Sequence, residues 1–126
     1  MFFSQLQVLN LCEAVQIDDL AVSFIADNCP SLQTLRLEWA LKPSDKSFEE
    51  LFLKCKRLKK GYFSGIKSIT DKCLYAALRH WEEMRQPSAL NSLKKLDFQS
   101  CNFVADAFLE KVKRNFPRIK ILNYYS

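Results

Sequence analysis

The chain has 126 residues and a mass of 14.7 kDa, enough for one compact domain and short of two. With 48% hydrophobic and 26% charged residues it has the makeup of a folded domain, and its 2 Gly and 4 Pro are too few for the many tight turns of a sandwich or barrel. The net charge of +5 permits an acidic partner without requiring one, and no run approaches the ~18 apolar residues of a membrane span.

Met1-Phe2-Phe3-Ser4-Gln5 has neither a basic n-region nor a continuous apolar h-region, which argues against a secretory signal. A first short strand follows in Leu6-Gln7-Val8-Leu9-Asn10-Leu11. It is too short for an independent helix and alternates at its end. Asp19 then opens a helix that carries Val22 and Ile25 on its buried face and ends at Cys29-Pro30.

The pattern then returns. Leu32-Gln33-Thr34-Leu35-Arg36-Leu37 repeats the first strand, Asp45 the helix start, Phe48 and Leu51 the apolar face, and Cys55 the end. Leu58-Lys59-Lys60-Gly61-Tyr62-Phe63 opens a third unit, weakened by Gly at the middle apolar position. Ile69-Thr70-Asp71 starts its helix, with Thr70 or Asp71 as the cap, and Leu74, Ala77, Leu78 and Trp81 form its stripe. An insertion of about nine residues, near 82–90, precedes Leu93-Lys94-Lys95-Leu96-Asp97-Phe98. It either lengthens the helix or forms an edge loop. Asp106, Leu109, Val112 and Phe116-Pro117 complete the fourth unit, and Ile119-Lys120-Ile121-Leu122-Asn123-Tyr124 forms a fifth strand. Units therefore start near 6, 32, 58, 93 and 119, at spacings of 26, 26, 35 and 26 residues.

One strand and one helix cannot bury both their apolar faces, so stacked units share a continuous core. The expected fold is a single α/β domain over residues 1–126: a right-handed solenoid with parallel strands on its concave side and helices on its convex side. The four aligned aspartates read as helix-start caps, where a carboxylate meets free N–H groups and the positive end of the helix dipole.

Cys-Pro-x-Leu-x-x-Leu-x-Leu at Cys29 to Leu37, Ile-Thr-Asp at Ile69 to Asp71, and Cys101 after Leu96-Asp97-Phe98 resemble the cysteine-containing leucine-rich repeat. That resemblance covers nearly the whole chain. It implies a ribonuclease-inhibitor-like leucine-rich-repeat solenoid and points to F-box/leucine-rich-repeat proteins, substrate receptors of Skp1–cullin–F-box ubiquitin ligases. Ala14, Ala40 and Ile66 depart from the family's usual Cys, which only Cys101 keeps. The chain opens directly on a repeat with no F-box, so Skp1 and cullin would be reached only through an F-box outside it. It reads as the C-terminal part of a longer protein or as a shortened isoform, with an exposed apolar edge at Phe2, Phe3 and Leu6.

No catalytic constellation is expected. His80 is the single histidine and reads as a surface residue beside Trp81, and no phosphate-cradling glycine loop occurs. Five cysteines without a C-x-x-C pair read as reduced intracellular thiols, cytoplasmic or nuclear. Cys29 and Cys55 fall one repeat apart but lack the four ligands of a structural zinc, so neither metal nor cofactor is expected. Cys12 follows Leu11 and should face the concave side.

That face carries the expected function. Alternation projects the third, fifth and seventh positions outward. The third are Val8, Thr34, Lys60, Lys95 and Ile121; the fifth Asn10, Arg36, Tyr62, Asp97 and Asn123; the seventh Cys12, Glu38, Ser64, Gln99 and Tyr125. Asn10, Arg36, Glu38, Tyr62, Asp97, Gln99, Asn123 and Tyr125 are the candidate contacts to a protein partner or ubiquitination substrate. Trp39 is a further anchor or, equally, a structural residue. Lys59, Lys60, Lys94, Lys95 and Lys120 should stack along one rim, either to capture an acidic or phosphorylated segment or to keep parallel strands soluble. Nucleic acid is not expected, because these lysines lack interleaved aromatic residues and sit beside Asp97. The alternative function is a non-ligase scaffold or regulator, such as a cell-cycle regulator or a mitochondrial assembly factor.

Overall fold

The computed structural model describes residues 3–84 and 93–123. Nine elements follow in order: β1 (Val8–Asn10), α1 (Asp19–Asn28), β2 (Thr34–Arg36), α2 (Asp45–Lys54), β3 (Lys60–Tyr62), α3 (Lys72–Met84), β4 (Lys95–Asp97), α4 (Asp106–Asn115) and β5 (Lys120–Leu122). The strands form one parallel sheet in sequence order, β1 to β5. This mixed α/β architecture with a five-stranded parallel sheet fits a leucine-rich-repeat-like fold.

The core lies between sheet and helices. Leu35 and Leu96 enter it from the strands, Leu37, Phe63 and Phe98 from the residue just after a strand, and Val22, Phe48, Leu51, Leu74 and Leu109 from the helices, all buried. Gly61 sits where the other units place Leu or Ile, and its reason is steric. A Cβ there would stand 2.5 Å from the Phe63 ring and 3.1 Å from Leu96. Phe63 occupies the space, meeting Phe48 edge-on at 5.0 Å and lying 5.9 Å from Phe52 and 5.8 Å from Phe98.

After each of the first four strands the chain turns through one left-handed residue: Glu13 (φ 67°), Trp39 (φ 67°), Gly65 (φ 75°) and Ser100 (φ 60°). Three of these N–H groups donate to the next unit, at Glu38 O (3.2 Å), Ser64 O (2.9 Å) and Gln99 O (2.9 Å). A hydrogen bond to the neighbouring unit thus accompanies a conformation that L-residues adopt at a cost.

The aspartate column acts differently from a set of local caps. Asp18, not Asp19, caps α1, accepting the Ala21 N–H at 3.0 Å. Asp19 reaches forward to the start of α2, where it accepts the Ser44 N–H (2.6 Å) and the hydroxyls of Ser44 (2.7 Å) and Ser47 (2.7 Å). Asp45 likewise accepts from the N–H (2.7 Å) and hydroxyl (2.6 Å) of Thr70, and Asp71 from the Ala105 N–H (2.7 Å). Each carboxylate satisfies a donor at the entrance of the following helix, so the column joins successive units.

The insertion lengthens α3 as far as Met84, and the rest of it lies outside the described residues. Among the described residues α1 packs along α2 and α2 along α3. Between α3 and α4 runs a groove of about 280 Å³ lined by Tyr75, Leu78, Phe108 and Phe116. At the other end Leu6, Leu9 and Leu11 are only partly buried, beside an apolar groove of about 270 Å³ that also takes in Phe3 and Phe24. Phe2, expected at this edge, lies outside the described residues.

Candidate functional site on the exposed face of the sheet

Each three-residue strand turns its middle residue toward the core and its first and third outward, so the outward residues form rows across the sheet. The first row runs Val8, Thr34, Lys60, Lys95, Lys120, and the second Asn10, Arg36, Tyr62, Asp97, Leu122. These rows correct the fifth unit. Lys120 pairs with Lys95, Ile121 with Leu96 and Leu122 with Asp97, one residue earlier than the L-x-x-L-x-L spacing implies. A one-residue shift exchanges the faces of a strand. Ile121 is therefore buried rather than outward, and Asn123 is buried with its amide on Glu110 Oε1 (3.0 Å), away from the exposed face. Tyr125 lies outside the described residues.

The centre of the face is a connected polar group. Arg36 Nε donates to Glu38 Oε1 at 2.7 Å, and that bond holds the guanidinium pKa above its ordinary value. The Arg36 guanidinium lies 4.4 Å from the centre of the Tyr62 ring, and Lys95 Nζ lies 5.1 Å from it. Tyr62 on β3 thus receives cations from both β2 and β4, an interleaving of aromatic and basic residues that spacing alone did not show. Cys12 Sγ contacts Glu38 Oε2 at 3.5 Å. Desolvation first, then the Glu38 carboxylate, push this thiol's pKa up.

Asn10 and Asp97 have a local task. Their side-chain oxygens accept the N–H groups of Cys12 and Gln99, each at 2.9 Å, and stabilise the turn after the strand. Trp39 stands at the sheet's margin, 46% exposed, with its indole where a Cβ on Gly65 would come within 2.3 Å and with Lys67 Nζ at 5.9 Å. It is both a packing residue on the next unit and an exposed aromatic surface.

The lysines fall into two adjoining rows. Lys60, Lys95 and Lys120 are direct cross-strand partners. Lys59 and Lys94 stand one residue earlier, where the Lys94 N–H donates to Lys59 O at 2.8 Å. His80 and Trp81 belong to α3, but their side chains lie outside the described residues.

The buried thiols have structural surroundings. Cys55 Sγ points to Cys29 O at 3.7 Å and Cys101 Sγ to Phe63 O at 3.0 Å. Desolvation pushes Cys55 and Cys101 up to about 12, and raises Cys29 and Cys73 as well. Among the described residues no group of three or more His, Cys, Asp or Glu is placed to hold a metal ion, and no helix is long and apolar enough to cross a membrane.

The Leucine Rich Repeat family matches residues 92–112, which span β4 and most of α4. The match supports a leucine-rich repeat in this segment. The segment contains Lys94, Lys95, Asp97 and Gln99 of the exposed face, and Asp106 at the start of α4. The match supports a protein-interaction module with protein partners. No curated protein matches the chain.

Proposed function

We propose that the chain is a leucine-rich-repeat solenoid whose outward sheet face, its concave side, binds a partner protein, and that it serves as the substrate-recognition part of a Skp1–cullin–F-box ubiquitin ligase adaptor. The observation that carries the recognition reading is the contiguous Glu38–Arg36–Tyr62–Lys95 group across three neighbouring strands. Arg and Tyr are the residue types that dominate interface energetics, and here neighbouring strands hold them in place. Strands in sequence order, joined by forward-reaching aspartates, support the solenoid.

Catalysis is left to partner proteins, and the single domain works within the cell. Five cysteines, all free, support that compartment. The ligase assignment rests on the resemblance of the repeats to the F-box class.

The test is affinity purification of the full-length endogenous product, compared with its Arg36→Ala, Tyr62→Ala double variant. Skp1 and a cullin should be recovered with both, and the substrate only with the unmodified protein. Partners retained by a folded double variant would remove the sheet face from the reading. Loss of the ligase subunits from both samples would replace the adaptor by a non-ligase scaffold on the same face.

A further inference from the structure

Three lysines directly opposite one another on adjacent parallel strands, whose backbones lie about 4.8 Å apart, set like charges side by side, which is a destabilising arrangement. A carboxylate on the neighbouring strands would relieve it, yet no ion pair within 4 Å engages Lys60, Lys95 or Lys120 among the described residues. The charged row adjoins Lys59 and Lys94, so β3, β4 and β5 enter the sheet through five ammonium groups.

We propose that this row is the docking track for an acidic segment of the partner protein, an extended Asp/Glu-rich stretch laid across β3, β4 and β5. The proposal rests on the sheet face being the recognition surface and names the chemistry of its partner.

Carboxylates fit better than the other anions. A phosphate group is a compact dianion best held by converging, forked donors, which guanidinium groups supply. The only guanidinium in the central group, Arg36, already gives its Nε to Glu38 at 2.7 Å. Single ammonium groups spaced along a line match single negative charges spaced along a chain. Nucleic acid would also need a free aromatic face for its bases. Tyr62 instead has Arg36 at 4.4 Å and Lys95 at 5.1 Å from its ring. Asp97, two residues beyond Lys95 on β4, would confine an acidic chain to the lysine row by repulsion.

The test titrates the full chain with a fluorescent Glu/Asp-rich dodecapeptide, a phosphoserine peptide of equal charge and a single-stranded RNA of equal charge, at low and physiological salt. The acidic peptide should bind most tightly, weaken with salt, and lose about tenfold in affinity on Lys60→Ala, Lys95→Ala, Lys120→Ala. Because truncating Lys95 also alters the Tyr62 contact, a second variant, Lys60→Glu with Lys120→Glu, should abolish binding while leaving thermal stability unchanged or raised. Peptide affinity untouched by either variant, or tighter binding of the phosphopeptide or the RNA, overturns the proposal. Failure of the recognition reading would appear separately, as endogenous partners retained by the Arg36→Ala, Tyr62→Ala protein.

Discussion

Asp19 and Ser44 are joined twice: one carboxylate oxygen accepts the Ser44 N–H at 2.6 Å and the other accepts its hydroxyl at 2.7 Å. Asp45 and Thr70 repeat that arrangement one unit on. The entrance of a helix carries N–H groups with no partner inside the helix, and for α2, α3 and α4 the preceding unit supplies an acceptor to a donor there. These bonds tie each unit to the next.

The Asp45–Thr70 pair can be dissected. Asp45→Ala leaves two partly buried donors without their acceptor and should cost about 1–3 kcal/mol. Thr70→Val keeps the backbone bond and loses only the hydroxyl, so it should cost about 1 kcal/mol. Urea unfolding should show a lower midpoint at unchanged slope for both variants, with Asp45→Ala the worse. Equal midpoints for Asp45→Ala and the unmodified protein would show that the link contributes nothing.

Asp19 also gives a pH dependence. Desolvation alone would raise its pKa. The Ser44 N–H and the hydroxyls of Ser47 and Ser44 outweigh it, so the folded value lies below the ordinary 3.8. A carboxylate with a depressed folded value adds stability that is complete above its unfolded value and is lost as pH falls through the folded one. The stability difference between the unmodified protein and Asp19→Asn should be largest near neutrality and shrink between about pH 5 and pH 2. A difference that stays constant over that range would exclude ionisation as its origin.

Gly61 and Phe63 form a compensating pair. A Cβ at Gly61 meets the Phe63 ring at 2.5 Å and 2.7 Å, so Gly61→Ala should destabilise by about 1–3 kcal/mol through overpacking. Gly61→Leu with Phe63→Leu restores the residue types of the second unit at those positions and should unfold at a higher temperature than Gly61→Leu alone. A double variant no better than that single one would show the exchange to be unrelated to the ring.

The 26-residue recurrence, the buried stripes and the sequence order of the strands were all open to a reading of the chain, because apolar spacing is a local property. The partners of the aspartates were not. Asp19 and Ser44 are 25 residues apart, and only the folded sheet brings them together. The left-handed turn was equally hidden. Gly65 is its single glycine, while Glu13, Trp39 and Ser100 carry no sign of it. The fifth strand misled for a specific reason: Ile119 and Ile121 are both apolar and both buried, so the missing residue between them leaves the pattern looking intact. That slip removed Asn123 from the face and placed Lys120 squarely in the lysine row. The link between Tyr62 and its two cations depended on register, which spacing anticipated for β2 to β4 but not for side-chain contacts.

The thiols provide a last check on packing and electrostatics together. Of five cysteines, Cys12 alone is exposed; the others are buried, and desolvation pushes Cys55 and Cys101 up to about 12. Native protein treated with a thiol reagent at pH 8 should therefore label Cys12 alone, and unfolded protein should label all five. Labelling of Cys12 should also be slow for an exposed thiol. Desolvation and the Glu38 carboxylate at 3.5 Å raise its pKa, so little thiolate is present at that pH. Glu38→Gln removes the negative charge and should speed the reaction, whereas Arg36→Ala removes a neighbouring cation that favours the thiolate and should slow it. Mass spectrometry of the labelled peptides with rates taken from pH 7 to pH 10 reads both effects. A second thiol reacting as fast in the native protein would contradict the buried positions of Cys29, Cys55, Cys73 and Cys101. An unchanged Cys12 rate in Glu38→Gln would remove Glu38 as a contributor beside desolvation.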